Sequence, residues 1–349
     1  VIGEYGSMTG SQATFGISTD EGVRLAVKEC NAAGGINGQQ IRLVSYDDQG
    51  RQQEAVTDVT RLIEQDHVVA VIGEVASSLS LAGGQQAQRL GVPMISPSST
   101  NPRVTQIGDM ISRVCFIDPF QGYVGASFAK NTLGFTKAAI LYDRSQAYST
   151  GLSENFKKAF EQLGGTIVDE EAYTSADIDY TAQLNNIQNA NPQFIYVPGY
   201  YTQVVDIARQ ARQLGLTCPL IGGDGWVSDK LKEAGHALDG CYFSDHYSKQ
   251  DTRPEVKTFL AKFRAEYGQD PDSMAALGYD ATNLLFNAIG RAKSLSGQDL
   301  AAAINSTKNF DGVTGNITID KNRNATKAAV IEKLEDGQYS FFARVEPPQ

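Results

Sequence analysis

Two stretches rich in hydroxyl side chains stand where a chain can bind an anion. Ile72-Gly-Glu-Val-Ala-Ser-Ser78 and Ile95-Ser-Pro-Ser-Ser-Thr-Asn-Pro102 each follow a short apolar run and lead into helical spacing. The free N–H groups and positive dipole end of a starting helix suit an anion, and serine or threonine hydroxyls add donors. Ser77, Ser78, Ser98, Ser99 and Thr100 are therefore candidates for a carboxylate cradle, and equally for ordinary helix caps. Later junctions carry the opposite chemistry: Asp143-Arg-Ser-Gln-Ala-Tyr148, Pro198-Gly-Tyr-Tyr201 and Gly222-Gly-Asp-Gly-Trp226. The rings of Tyr148 and Tyr200 can wall a pocket and attract a cation. Asp224 lies among glycines that let backbone approach closely, and a shielded carboxylate fixes an ammonium group by a charge-assisted hydrogen bond. Asp-Gly is also turn chemistry, so a plain turn remains open for Asp224. Anion donors in one half, with an acid and aromatics in the other, match the polarity of a zwitterion lying across a cleft.

Catalytic patterns are missing. No G-x-G-x-x-G follows a strand, and there is no phosphate-binding G-x-x-x-x-G-K-[ST] or G-x-S-x-G elbow. His67, His236 and His246 lack metal-ligand spacing and read as surface or loop residues. Asp47-Asp48 reads as a solvated turn or cap rather than a metal pair, and Glu74 as a solvated strand end at the mouth of a cleft. No enzyme activity, cofactor or metal is expected.

The elements that must position these residues alternate strand with helix. Expected strands are Val1–Tyr5, Ile41–Tyr46, Val68–Ile72, Val92–Ile95, Lys137–Tyr142, Thr166–Glu170, Gln193–Val197, Pro219–Gly222 and Gly240–Ser244. Their cores are short apolar runs, as for strands covered on both faces. Val23, Ala26, Val27 and Cys30 form one helical stripe. Leu152, Phe156, Phe160 and Leu163 form a second, and Val204, Ile207, Ala208, Ala211 and Leu214 a third. Gly34-Gly35, Gly164-Gly165 and Gly215 stop these helices. Repeated βα units imply mainly parallel sheets with right-handed crossovers. The alternation pauses at Arg113–Gly122 and again near Ser244–Pro254. A helical region then runs from Glu255 to about Asn305 before a β-rich tail.

A chain of 349 residues is comfortable for two domains. Its 40 acidic against 30 basic residues give a net charge of -10, which argues against a nucleic-acid partner. The opening Val1-Ile2-Gly3 reads as the first strand of a trimmed, mature protein. Of four cysteines, none forms a C-x-x-C pair; Cys218 and Cys241 each begin an expected strand and are candidates for pairing.

At these junctions the chain resembles the branched-chain amino-acid-binding proteins, the leucine/isoleucine/valine-binding type I periplasmic binding proteins of ABC importers. The likeness spans nearly the whole chain. It runs through Ala33-Gly-Gly-Ile-Asn-Gly38, Tyr46-Asp-Asp48, Ile72–Ser78, Met94-Ile-Ser-Pro97, Thr100-Asn-Pro102 and Tyr148. It continues with Gly199-Tyr200, Ala208-Arg-Gln-Ala-Arg212, Gly222–Gly225 and Ala276-Leu-Gly-Tyr-Asp-Ala281.

The resemblance implies an α/β fold of two Rossmann-like lobes joined by three hinge crossings. Lobe 1 would be 1–118 with 249–329, and lobe 2 would be 119–248 with 330–349. Ligand-carboxylate contacts fall on Ser77 and Thr100, with Ser98 offering backbone. Ammonium contacts fall on Ser98, Thr100 and Asp224. Tyr148 and Tyr200 match rings that close over the ligand, and Phe15 and Phe116 match side-chain-pocket positions. Asp224 is one methylene shorter than the glutamate of the best-known members, and their disulfide would fall on Arg51 and Ala76, which are not cysteines. The implied protein is a monomeric extracytoplasmic amino-acid carrier, lipid-anchored or free, whose partner is a membrane permease. A sensor domain on the same fold is the alternative, and a doubly wound enzyme the more distant one.

Overall fold

The computed structural model describes residues 1–348. The chain forms two compact units: Val1–Ile117 with Lys249–Lys327, and Asp118–Ser248 with Ala328 onward. The first stretch of unit 1 runs β1 (Ile2–Gly6), α1 (Ala13–Ala32), β2 (Leu43–Asp47), α2 (Gln52–Glu64), β3 (Val71–Ile72), α3 (Ser77–Leu90), β4 (Met94–Ser96), α4 (Arg103–Gln106) and β5 (Ile111–Arg113). Unit 2 follows with α5 (Asp118–Ser127), β6 (Lys137–Asp143), α6 (Ala147–Gln162), β7 (Thr166–Tyr173), α7 (Thr181–Ala190), β8 (Phe194–Val197), α8 (Tyr201–Gln213), β9 (Leu220–Gly222) and β10 (Tyr242–Asp245). The chain then returns to unit 1 as α9 (Pro254–Tyr267), α10 (Ser273–Arg291), α11 (Gly297–Asn305), β11 (Phe310–Gly312) and β12 (Gly315–Ile317). It closes unit 2 with β13 (Ala329–Glu335) and β14 (Gln338–Val345).

The sheet of unit 1 has the order β2-β1-β3-β4-β5 and is parallel throughout. Unit 2 builds the same arrangement as β7-β6-β8-β9-β10 and adds β13 and β14 antiparallel at one side. Two units with one strand order give the repeated βα series of the sequence a structural counterpart. Such a doubly wound order places ligand-binding loops beyond the carboxyl ends of the strands.

Apolar runs form the strands because both faces are covered: Ile2, Ile72, Ile95, Ile140, Ile195 and Leu220 are all buried. Phe156 and Phe160 of α6, and Val204, Ile207 and Ala208 of α8, are buried as their stripes require. In unit 1, α1 and α10 lie backbone to backbone. A Cβ on Gly22 would stand 2.0 Å from Ala275 O, and one on Gly278 would stand 2.7 Å from Thr19 O. Hydrogen at those two positions is what lets Val23 and Ala26 reach the same core as Leu277, Ala281 and Leu284.

Several expectations need correction. No strand is expected at β5, of which only Arg113 lies in the expected crossing Arg113–Gly122, because Ile111-Ser-Arg113 puts a polar and a charged residue where a buried strand is not anticipated. Helix α3 begins at Ser77, two residues before Leu79. All four thiols are free. The β9–β10 register pairs Ile221 with Tyr242, so Cys241 falls opposite Leu220 rather than Cys218. Among the described residues no helix is long and apolar enough to cross a membrane.

Candidate functional site

In unit 1 the hydroxyl-rich loops after β3 and β4 are welded to each other. Glu74, read from sequence as solvated, is 1% exposed. Its Oε1 accepts from Ser7 N at 2.9 Å and its Oε2 from Ala76 N at 2.6 Å. Its main-chain carbonyl accepts from Ser96 Oγ at 2.8 Å and Ser99 Oγ at 2.9 Å, which ties one loop to the other. Burial, and then the neighbouring Asp48 charge, raise the Glu74 pKa well above its ordinary value. Asp48 is not a solvated turn either. It is fully buried and accepts from Ser7 Oγ and Gly50 N. Asp47 holds the loop after β1 through Met8 N and Thr9 Oγ1.

The loop after β4 is fixed from below by Arg113 at the end of β5, a fully buried guanidinium. Its Nη1 donates to Ser99 O at 2.5 Å and Asn101 O at 2.8 Å, Nη2 to Pro102 O at 3.2 Å, and Nε to Asn324 Oδ1 at 2.8 Å. Arginine suits this task because its planar fork can serve several carbonyls at once.

The candidate hydroxyls divide accordingly. Ser99 Oγ lies 2.7 Å from Ser80 Oγ and within donating distance of the carbonyls of Glu74 and Val75, so it serves the loop. Ser77 Oγ accepts from Asn101 N at 3.3 Å. Ser77 and Ser78 are the first two residues of α3, whose N-cap is Ala76 with no side-chain cap bond, so neither is the cap. Ser98 Oγ and Thr100 Oγ1 are buried with no hydrogen-bond partner among the described residues. A buried hydroxyl left so is costly unless something else satisfies it. Phe15 on α1 and Phe116 beyond β5 are both buried in unit 1.

In unit 2 the three later junctions converge. Gly225 N donates to Tyr148 Oη at 3.0 Å, and the Tyr148 and Tyr200 rings stack with centroids 5.0 Å apart. Burial, and then the Asp224 charge, push the Tyr148 phenol well above its usual range, so it keeps its proton as a donor. Asp224 begins a single 3-10 turn, Asp224–Trp226, after β9. Its N–H donates to Gln121 Oε1 at 2.9 Å, and Ser244 Oγ donates to the same oxygen at 2.9 Å. Its Oδ2 lies 2.8 Å from His246 Nε2, while Oδ1 is buried with no hydrogen-bond partner among the described residues.

His246 joins Glu74, Asp48 and Arg113 among the buried residues that sequence reasoning missed. It was read as a surface or loop histidine, yet it is 3% exposed. The signal was its place one residue past β10, since β9 and β10 are parallel neighbours whose carboxyl ends must lie together. His236 is exposed, and with Asp239 and Asp336 it forms the one group among the described residues able to share a metal ion. The exposed ion pairs His236–Asp239 at 2.8 Å and His236–Asp336 at 3.1 Å account for that closeness.

A family model described as periplasmic binding protein matches residues 1–338. The crystal structure of a leucine-binding protein from Thermotoga maritima is 40% identical, with a TM-score of 0.95 covering 99% of this chain and 98% of that one. A branched-chain amino acid transporter substrate-binding protein from Streptococcus pneumoniae, solved with isoleucine, is 32% identical with a TM-score of 0.91 and 98% coverage of both chains. A leucine-, isoleucine-, valine-, threonine- and alanine-binding protein of Pseudomonas aeruginosa is 30% identical over 320 residues, 90% of this chain and 84% of its relative. With the fold, the paired strand orders and the match along nearly its whole length, the chain belongs to the periplasmic binding protein family.

Proposed function

We propose that this protein captures a neutral aliphatic L-amino acid outside the cytoplasm and delivers it to the permease of an ABC importer. The ligand carboxylate is taken by Ser77, Ser98 and Thr100 of unit 1, and its ammonium by Asp224 of unit 2. Tyr148 and Tyr200 cover it, and Phe15 and Phe116 border its side chain. One observation carries the assignment. Of the expected ligand contacts, Ser98 Oγ, Thr100 Oγ1 and Asp224 Oδ1 are buried yet lack a partner among the described residues, two hydroxyl donors and one carboxylate acceptor. A zwitterion supplies the complement of that set. Leucine- and isoleucine-binding relatives support an aliphatic side chain. The expected boundaries near 118, 248 and 329 would be hinges, and a ligand bound more tightly by a closed state drives closure. A monomer suffices for this task.

Calorimetry with L-leucine, L-isoleucine, L-valine, γ-aminobutyrate and benzoate tests the reading. The expected result is tight binding of one or more aliphatic amino acids, with about 2.7 kcal/mol of added unfolding stability at a hundredfold excess over Kd. Binding of benzoate with no amino acid bound would overturn it.

A further inference from the structure

Asp224 has two carboxylate oxygens and one is already engaged. His246 Nε2 lies 2.8 Å from Oδ2, and both side chains are buried. A ring nitrogen that close to a carboxylate oxygen carries a hydrogen, because two lone pairs would repel. The backbone beneath is also fixed, with Asp224 N on Gln121 Oε1 and Gly225 N on Tyr148 Oη. Only the carboxylate torsions are left, and the imidazole sets them. The topology repeats in unit 1, where Arg113 at the end of the fifth strand reaches back under the loop after the fourth. His246, just past the fifth strand of its own series, does the same for Asp224.

We infer that His246 is a positioning residue for ammonium recognition: its Nε2–H clamps Asp224 Oδ2, so Oδ1 is presented as the acceptor for the ligand's ammonium. This rests on the functional reading above, in which Asp224 takes the amino group. The clamp acts on one end of the ligand only. An analogue with the same carboxylate and side chain but no amino group should not depend on it.

The probes are L-leucine and 4-methylpentanoate, its deaminated counterpart. His246→Gln places an amide donor at the reach of Nε2, whereas His246→Asn does not. His246→Asn is expected to weaken leucine about tenfold while changing 4-methylpentanoate by less than about threefold, and His246→Gln to restore most of the difference. A merely structural role would weaken both probes together and would not be rescued by glutamine. Should the variants fold poorly, the wild-type chain still answers. It has three histidines, so the ring 15N signals separate. The His246 Nε2 signal is expected to move on adding leucine and to stay when only 4-methylpentanoate is bound. An equal loss for both probes, or an equal shift with both, overturns the inference. If Asp224→Ala abolishes leucine binding while both histidine variants bind like wild type, the clamp alone is overturned. If the wild-type chain binds no leucine, the functional reading and the clamp fall together.

Discussion

The fourth strand of each parallel series ends in a loop that presents polar atoms, and the two loops are built on different principles. In unit 1 the loop after β4 offers neutral hydroxyls, and its shape is held by main-chain carbonyls gathered onto Arg113 and tied to Glu74. In unit 2 the loop after β9 offers a carboxylate, and its aim is set by side chains, with His246, Gln121 and Tyr148 each gripping one atom. Backbone gripped by a buried arginine is difficult to alter without unfolding something. A side-chain clamp can be changed one contact at a time. Damage to the first half should therefore appear as lost stability, and damage to the second as altered discrimination.

The strongest test of that division is Arg113→Leu. It strips donors from the carbonyls of Ser99, Asn101 and Pro102, and should destabilise the chain by about 3–5 kcal/mol in a denaturant titration and weaken leucine and 4-methylpentanoate alike. A stable variant with selective loss of leucine would erase the contrast. Next is Asp224→Ala, which should cost about 2–5 kcal/mol of amino-acid affinity by calorimetry, with a smaller fall in unliganded melting temperature because His246 Nε2–H loses its buried acceptor. Thr100→Val, nearly isosteric, should cost about 1 kcal/mol of affinity for both probes. The smallest effect concerns the acids behind the unit 1 loop. Burial raises Asp58 from 3.8 to about 7, with the nearby Asp48 charge adding to it. The folded state then binds that proton more tightly than the unfolded one, so the contribution of Asp58 to stability is greatest below about pH 4 and is lost as pH climbs towards about 7. Asp58→Asn should flatten that fall in melts across the range, by less than about 1 kcal/mol because water screens a half-buried carboxyl.

Much of the frame was readable from residue order. Short apolar runs such as Lys137–Tyr142, followed by stripes such as Leu152, Phe156 and Phe160, leave few choices other than a parallel α/β sheet. The hydroxyl junctions, Tyr148, Tyr200 and Asp224 stood out because they follow expected strands, where ligands bind in open α/β sheets. What escaped was a set of buried polar side chains that answer to distant partners. Arg113, Glu74, Asp48 and His246 look like surface residues until the fold brings Ser99 O, Ser7 or Asp224 beside them. Neither composition nor periodicity encodes such pairings, because the partners come from other strands of the sheet and the cost of burial is met only once both are in place. The split of the hydroxyls was hidden for the same reason. Ser98 and Ser99 are identical in sequence, and only the loop's path turns one of them towards Ser80.

The interleaving of the two units bears on how the chain comes into being. Helix α1, made first, finds its close neighbour α10 only some 240 residues later, and β10 gains β13 only after the helices of unit 1 have been synthesised. A ribosome can therefore release most of this polypeptide before either core is able to shut. Val23 and Ala26 have Ile2, Ile72 and Ile95 as core neighbours early, but Leu277, Ala281 and Leu284 of α10 complete that core only late.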